Sequence, residues 1–307
     1  MTATTPPKSH QRLAQVQSQD VDDIVLRAAY LRTIPVLKTP AAALDLSALD
    51  ADTLAIADEW KDLDAETLRG LLAWDLARHR PVHQTGTGWT ALGLDAWSLD
   101  WTVDGKAVAS AGGQSRQKSE FDEAVGKVQL DPSRLLEAAL HASEPQVGLL
   151  VMLGALSAKP DAIRHTVAVV DALTSVTMLV VNRLKRGMNV PRPGDWDKGQ
   201  PVVPLLPVPA TTSYPGGHAA VLAALQVLLP ALAKLDAAQT GQLETLAREL
   251  TKDRVRMGLH TELDSTAGEV VGKALGNALL RLATDATVKK SCPLWAAAFA
   301  LAQREWK

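Results

Sequence analysis

Three short stretches hold the residues that could do chemistry. In "KRGMNVPRP" six residues separate Lys185 from Arg192, and "PGGH" sets His218 directly behind Pro215, Gly216 and Gly217. In "RVRMGLHTELD" five residues separate Arg254 from His260, and three separate His260 from Asp264. These types suit an oxyanion in transfer. A phosphoryl group in flight spreads charge over three equatorial oxygens, with attacking and leaving atoms in line, so its site needs fixed donors around an equator and one group at each pole. Lys185, Arg192 and Arg254 can supply the equator, the guanidinium fork matching paired oxygens and the ammonium adding a compact charge. Gly216 and Gly217, without side chains, let backbone N–H groups approach an anion at a helix N-terminus. A protonated histidine in the first turn of the apolar run "HAAVLAALQVLL" has the wrong sign for the helix dipole, and a bound anion would account for it.

Each stretch alone has a plainer reading: a basic C-terminal helix turn, a chain reversal, solvated arginines, and an i, i+4 surface pair of His260 with Asp264. Together, their order and spacing resemble the signature of the type 2 phosphatidic acid phosphatase (PAP2) and vanadium-dependent haloperoxidase superfamily, over roughly residues 145–285. In the phosphatase branch the resemblance implies that His260 attacks phosphorus to give a phosphohistidine. His218 then acts as general acid and base, Asp264 holds the second ring nitrogen of His260, and no cofactor is needed. In the haloperoxidase branch the same cage binds vanadate as cofactor, with His260 as the vanadium ligand, and oxidises halides with hydrogen peroxide. Gly216 and Asp253 stand where the family usually has serine. Asn182 and Thr211 occupy positions where an aromatic halide pocket is expected, so an acid phosphatase is favoured over a haloperoxidase, with an oxyanion-binding scaffold without turnover as the third reading.

The elements that must position these groups read as helices. An apolar share of 47% with 21% charged residues is that of a folded protein, and 32 basic against 34 acidic residues leave no global field for nucleic acid. Cys292 is the single cysteine, which excludes an intrachain disulfide and a cysteine-based zinc cluster. Helices are expected over 11–33, 64–80, 161–186, 217–235, 237–252 and 262–283, the later ones apolar on most faces as in the middle of a bundle. The expected fold is all-α: a helical bundle of the PAP2 and haloperoxidase type over 141–307, behind a mainly helical extension over 1–140. That extension includes a small β-hairpin near 97–110, built on alternating Trp97, Leu99, Trp101 and Val103 before "DG". Residues 191–215 contain seven prolines and must form a loop. The N-terminus lacks a signal-type apolar core, and "HTVAVVDALTSVTMLVV" is interrupted by Asp171 and hydroxyl residues, so the expectation is a cytoplasmic chain with no membrane span. The expected partners are a small phosphate ester, or halide and peroxide, and a second copy of the chain through "SCPLWAAAFALAQREW".

Overall fold

The computed structural model describes residues 36–80, 83–85, 88–90, 92, 102–103, 106–107, 146–154, 160–195 and 202–306. The helix expected over 11–33 lies outside them, as do Trp97 and Trp101. The described chain is mostly helical: α1 Ala51–Glu59, α2 Ala65–Ala77, α3 Gln146–Leu153, α4 Arg164–Met188, α5 Gly217–Ala233, α6 Ala237–Arg256, α7 Glu262–Thr284 and α8 Pro293–Ala302. Two antiparallel hairpins interrupt it. Strand β3 Thr102–Val103 pairs with β4 Lys106–Ala107 across the "DG" dipeptide, within the expected hairpin, and β1 His83–Thr85 pairs with β2 Gly88–Thr90 where none was expected.

Helix starts follow from capping chemistry. Asp50 and Asp64 accept hydrogen bonds from the backbone N–H groups of Thr53 (2.8 Å) and Thr67 (2.7 Å), satisfying donors that a first turn leaves orphaned. Reciprocal capping boxes open α6, between Asp236 and Gln239, and α7, between Thr261 and Asp264. Helix α4 lacks a local side-chain cap. Its cap is Glu305, 140 positions beyond His165, which accepts from His165 N (2.9 Å), Thr166 N (2.8 Å) and His165 Nδ1 (2.8 Å). Trp306 Nε1 secures the same turn through Thr166 Oγ1 at 2.8 Å. A carboxylate suits the positive end of a helix, and here it is buried there together with its donors.

One apolar core joins the two parts of the chain: Leu68, Leu72 and Leu76 of α2 are buried in the same cluster as Val169, Leu173 and Val180 of α4 and Trp295 and Phe299 of α8. Helix α8 is therefore internal. Trp295, Ala297, Ala298, Phe299, Leu301 and Ala302 are all buried within this chain, so the face expected to meet a second copy is already occupied. Among the described residues of the proline-rich loop there is a 3-10 turn at Pro193–Asp195, and residues 202–215 dock through Leu205 N to Met257 O (3.0 Å) and Ser213 N to Val190 O (2.8 Å).

The expectation of a cytoplasmic chain without a span is corrected. The segment Arg164–Asp195, containing α4, is long and apolar enough by length and composition to cross a membrane, with 56% of its most apolar window buried in the fold. Two of the hydroxyl residues that counted against a span, Thr174 and Ser175, are satisfied within the helix. Thr174 Oγ1 and Ser175 Oγ donate to Val170 O (2.9 Å) and Asp171 O (2.8 Å) one turn back, and so satisfy themselves on their own helix.

Helices α5 and α7 set the geometry of the site. Glycines 268, 272 and 276 recur every fourth residue on α7, and a Cβ on them would lie 2.2 Å from Gly216 O, 2.1 Å from Ala220 O and 2.8 Å from Ala224 O. The backbones thus touch along the whole stripe, and both chains of contacts ascend together, so the helices run parallel with their N-termini side by side. Gly272→Ala is expected to force the pair apart and cost roughly 1–3 kcal/mol or more. Gly241→Ala, where nothing lies within 4 Å, should instead be neutral or stabilising by about 0.4–1 kcal/mol. Denaturant unfolding of the two variants checks this contrast.

Candidate active site

Four helix ends meet at one end of the bundle. Helices α4 and α6 arrive by their C-termini, carrying Lys185 and Arg254; α5 and α7 depart by their N-termini, carrying His218 and, just ahead of α7, His260. Basic residues belong at C-termini, while paired N-termini attract negative charge, so the local chemistry of all four ends favours an anion between them.

Lys185, Arg192, Arg254, His260 and Asp264 are brought together, each no more than 4% exposed. Lys185 Nζ donates to the carbonyls of Thr212 and, at 2.7 Å, Ser213. Arg192 donates from Nε to Thr211 O (2.8 Å), from Nη1 to Leu259 O (2.8 Å) and from Nη2 to Thr211 Oγ1 (3.3 Å). Arg254 differs. Its Nε and Nη1 are buried and have no hydrogen-bond partner among the described residues. Burial first and the charge of Arg192 second push its guanidinium down to about 9, and burial followed by Arg192 pushes Lys185 down to about 7, against the opposing pull of Asp264. Asp253, the acidic residue beside Arg254, is itself buried but pairs with Arg256 Nη1 at 2.9 Å. Asp264 pulls on Lys185 and Arg192, and Asp195 on Arg192 as well.

His260 has a defined orientation. Its Nδ1 lies 3.4 Å from Asp264 Oδ2 and 3.3 Å from Ser213 Oγ, while Nε2 faces Arg192 Nη1 at 3.4 Å. Burial dominates its titration and pushes the imidazole down to about 4, despite the opposing hydrogen bond to Asp264. Burial alone would raise the Asp264 carboxyl, but hydrogen bonds from His260, Ser213 and the Thr261 backbone outweigh it and hold it below the usual range.

A depressed base has a stability consequence of definite sign. Above pH 6.5 neither folded nor unfolded His260 holds a proton; between 6.5 and about 4 only the unfolded chain does, so acidification through that window destabilises the fold. The loss expected from this group is roughly 3 kcal/mol. Chemical denaturation of the protein and of His260→Gln at a series of pH values checks it, since the variant should lose that part of the slope.

The glycines of "PGGH" are placed differently from one another. Gly216 N donates to Asp264 O at 2.7 Å, so this N–H is already engaged. A Cβ at 216 would stand 2.9 Å from the same carbonyl oxygen, which accounts for glycine at this position: α7 passes too close. Gly217 opens α5 with its Cα against Met178 of α4, and His218, half-buried, occupies the same first turn. Ser213 is the site residue that the motifs did not single out. It donates to Asp264 Oδ2 at 2.6 Å, and its signal in the sequence was only a hydroxyl two residues before Pro215.

The fold and site define a helical bundle with a cationic, histidine-bearing cage at one end. No family model matches the chain, and no curated protein matches it. Among solved structures it is similar to a transmembrane PAP2-type phosphatidylglycerolphosphate phosphatase from Bacillus subtilis, at 20% identity and a TM-score of 0.43, over 56% of this chain and 87% of that one.

Proposed function

We propose that the protein is a PAP2-type acid phosphatase that hydrolyses phosphate monoesters through a phosphohistidine on His260. The observation that carries this reading is the buried guanidinium of Arg254 beside Arg192 and Lys185, with two of its nitrogens, Nε and Nη1, lacking a hydrogen-bond partner among the described residues. An uncompensated charge in the interior costs several kcal/mol, and a bound dianion is the ligand that removes that cost.

In this reading Lys185, Arg192 and Arg254, with the α5 N-terminus, hold the equatorial oxygens. Neutral His260 attacks phosphorus through Nε2 as the P–O bond to the leaving group breaks, and His218 gives its proton to the departing oxygen. Water then attacks the phosphohistidine, passing a proton back to His218, and the P–N bond breaks to release orthophosphate. A nucleophile must be unprotonated, and an imidazole held down to about 4 remains so in acid, which supports an acid phosphatase. Asp264 would stabilise the charge that develops on His260 during attack.

Hydrolysis of an aryl phosphate across roughly pH 4 to 8, followed on the purified protein, tests the proposal. Turnover inhibited by orthovanadate is the expected result; binding of vanadate without any hydrolysis would replace the enzyme with the scaffold reading. No observation in the structure favours the haloperoxidase alternative.

A further inference from the structure

Ser213 has no part in the mechanism above, yet several components of the site are joined through it. It is 1% exposed. Its N–H donates to Val190 O (2.8 Å), two residues before Arg192, and its carbonyl accepts from Lys185 Nζ (2.7 Å). Its hydroxyl donates to Asp264 Oδ2 at 2.6 Å and lies 3.3 Å from His260 Nδ1.

The proton count decides what this arrangement does. A serine hydroxyl has one proton, and the short bond to a carboxylate takes it, so only lone pairs of Oγ remain for His260. The Nδ1 atom of His260 consequently faces two acceptors, Ser213 Oγ at 3.3 Å and Asp264 Oδ2 at 3.4 Å. It must itself be the donor. The opposite nitrogen, Nε2, faces the Nη1 donor of Arg192 at 3.4 Å and must be the acceptor. Asp264 alone would leave this choice less defined, because its Oδ2 also accepts from Thr261 N at 2.8 Å and its bond to the ring is long.

Resting on the phosphatase reading, we propose that Ser213 is a positioning residue that fixes His260 in the Nδ1–H tautomer, leaving Nε2 as the reacting nitrogen, and keeps that ring in register with Lys185. Its side chain acts through Asp264 and His260 and its main chain through the lysine, so removing the hydroxyl should disturb the first function and spare the second.

The experiment compares the full-length protein with Ser213→Ala and Ser213→Thr. Imidazole nitrogen-15 shifts of His260 report the tautomer without substrate. kcat and KM for an aryl phosphate, and thermal stabilisation by orthovanadate, report turnover and the cage. Wild type is expected to show the pure Nδ1–H form and Ser213→Ala a mixture, with kcat lower by about 10- to 100-fold, KM within about threefold and vanadate stabilisation retained. Ser213→Thr should recover the wild-type tautomer. An unchanged tautomer in Ser213→Ala would overturn the proposal, as would a parallel loss of kcat, KM and vanadate stabilisation, which a collapsed pocket would produce. If the wild-type protein hydrolyses no aryl phosphate, the phosphatase reading fails, while the tautomer comparison still decides the role of Ser213.

Discussion

His260→Ala is expected, on the proposed phosphohistidine mechanism, to lower aryl phosphate hydrolysis by ~10⁴-fold or more, because loss of a covalent nucleophile leaves only the binding and electrostatic parts of catalysis. Binding of orthophosphate should suffer far less, since Lys185, Arg192 and Arg254 come from other elements, and Lys185 and Arg192 are tied to backbone carbonyls there. Rapid acid-free quenching of wild type with labelled substrate should trap a phosphoryl group that is stable in base and lost in acid, and the variant should show none. His260→Gln, closer in volume, separates loss of the nucleophile from loss of packing. Hydrolysis that survives in both variants would remove His260 from the role of nucleophile.

Arg254→Met is expected to move stability and binding in opposite directions. In the ligand-free protein the guanidinium is 4% exposed, repelled by Arg192 and without partners at two of its nitrogens, so an apolar side chain of similar length should stabilise the fold by roughly 1–3 kcal/mol. In saturating orthophosphate the order should reverse. Wild type gains stability from the bound anion in proportion to its affinity, whereas the variant, lacking the guanidinium with uncommitted Nε and Nη1 donors, should gain little. Thermal midpoints of both proteins against orthophosphate concentration should therefore cross. A variant less stable than wild type without anion would show that Arg254 contributes to the fold rather than to a ligand.

Residues 254–264 illustrate what could be read before any coordinates. The interval of four from His260 to Asp264 places both at one helix start whatever surrounds them, and their pairing follows from local geometry. Helix starts at Asp64 and Glu262 were equally legible, because a cap and its first turn are neighbours in sequence. Relations across the fold were not. That Lys185 and Arg192 are committed to the carbonyls of 211–213 and 259, while Arg254 is not, depends on which loop passes which helix end. The glycines at 268, 272 and 276 went unremarked in the sequence, because their partners Gly216, Ala220 and Ala224 become meaningful only once α5 and α7 are known to run parallel. Span and localisation were misjudged at α4 for a related reason: the hydroxyls of Thr174 and Ser175, which look polar in a string, are satisfied on their own helix.

The capping of α4 by Glu305 also imposes an order in time. Helix α4 carries Lys185, yet its first turn waits for a carboxylate that leaves the ribosome 140 residues after His165. At roughly 5–20 residues per second that delay is on the order of ten seconds. During it the long apolar helix has open N–H groups and unburied flanks, and is exposed to chaperones, to other nascent chains or to a bilayer. The segment after α8 thus locks an element made 140 residues earlier, and the site at the far end of α4 acquires that support only after Glu305 has been synthesised.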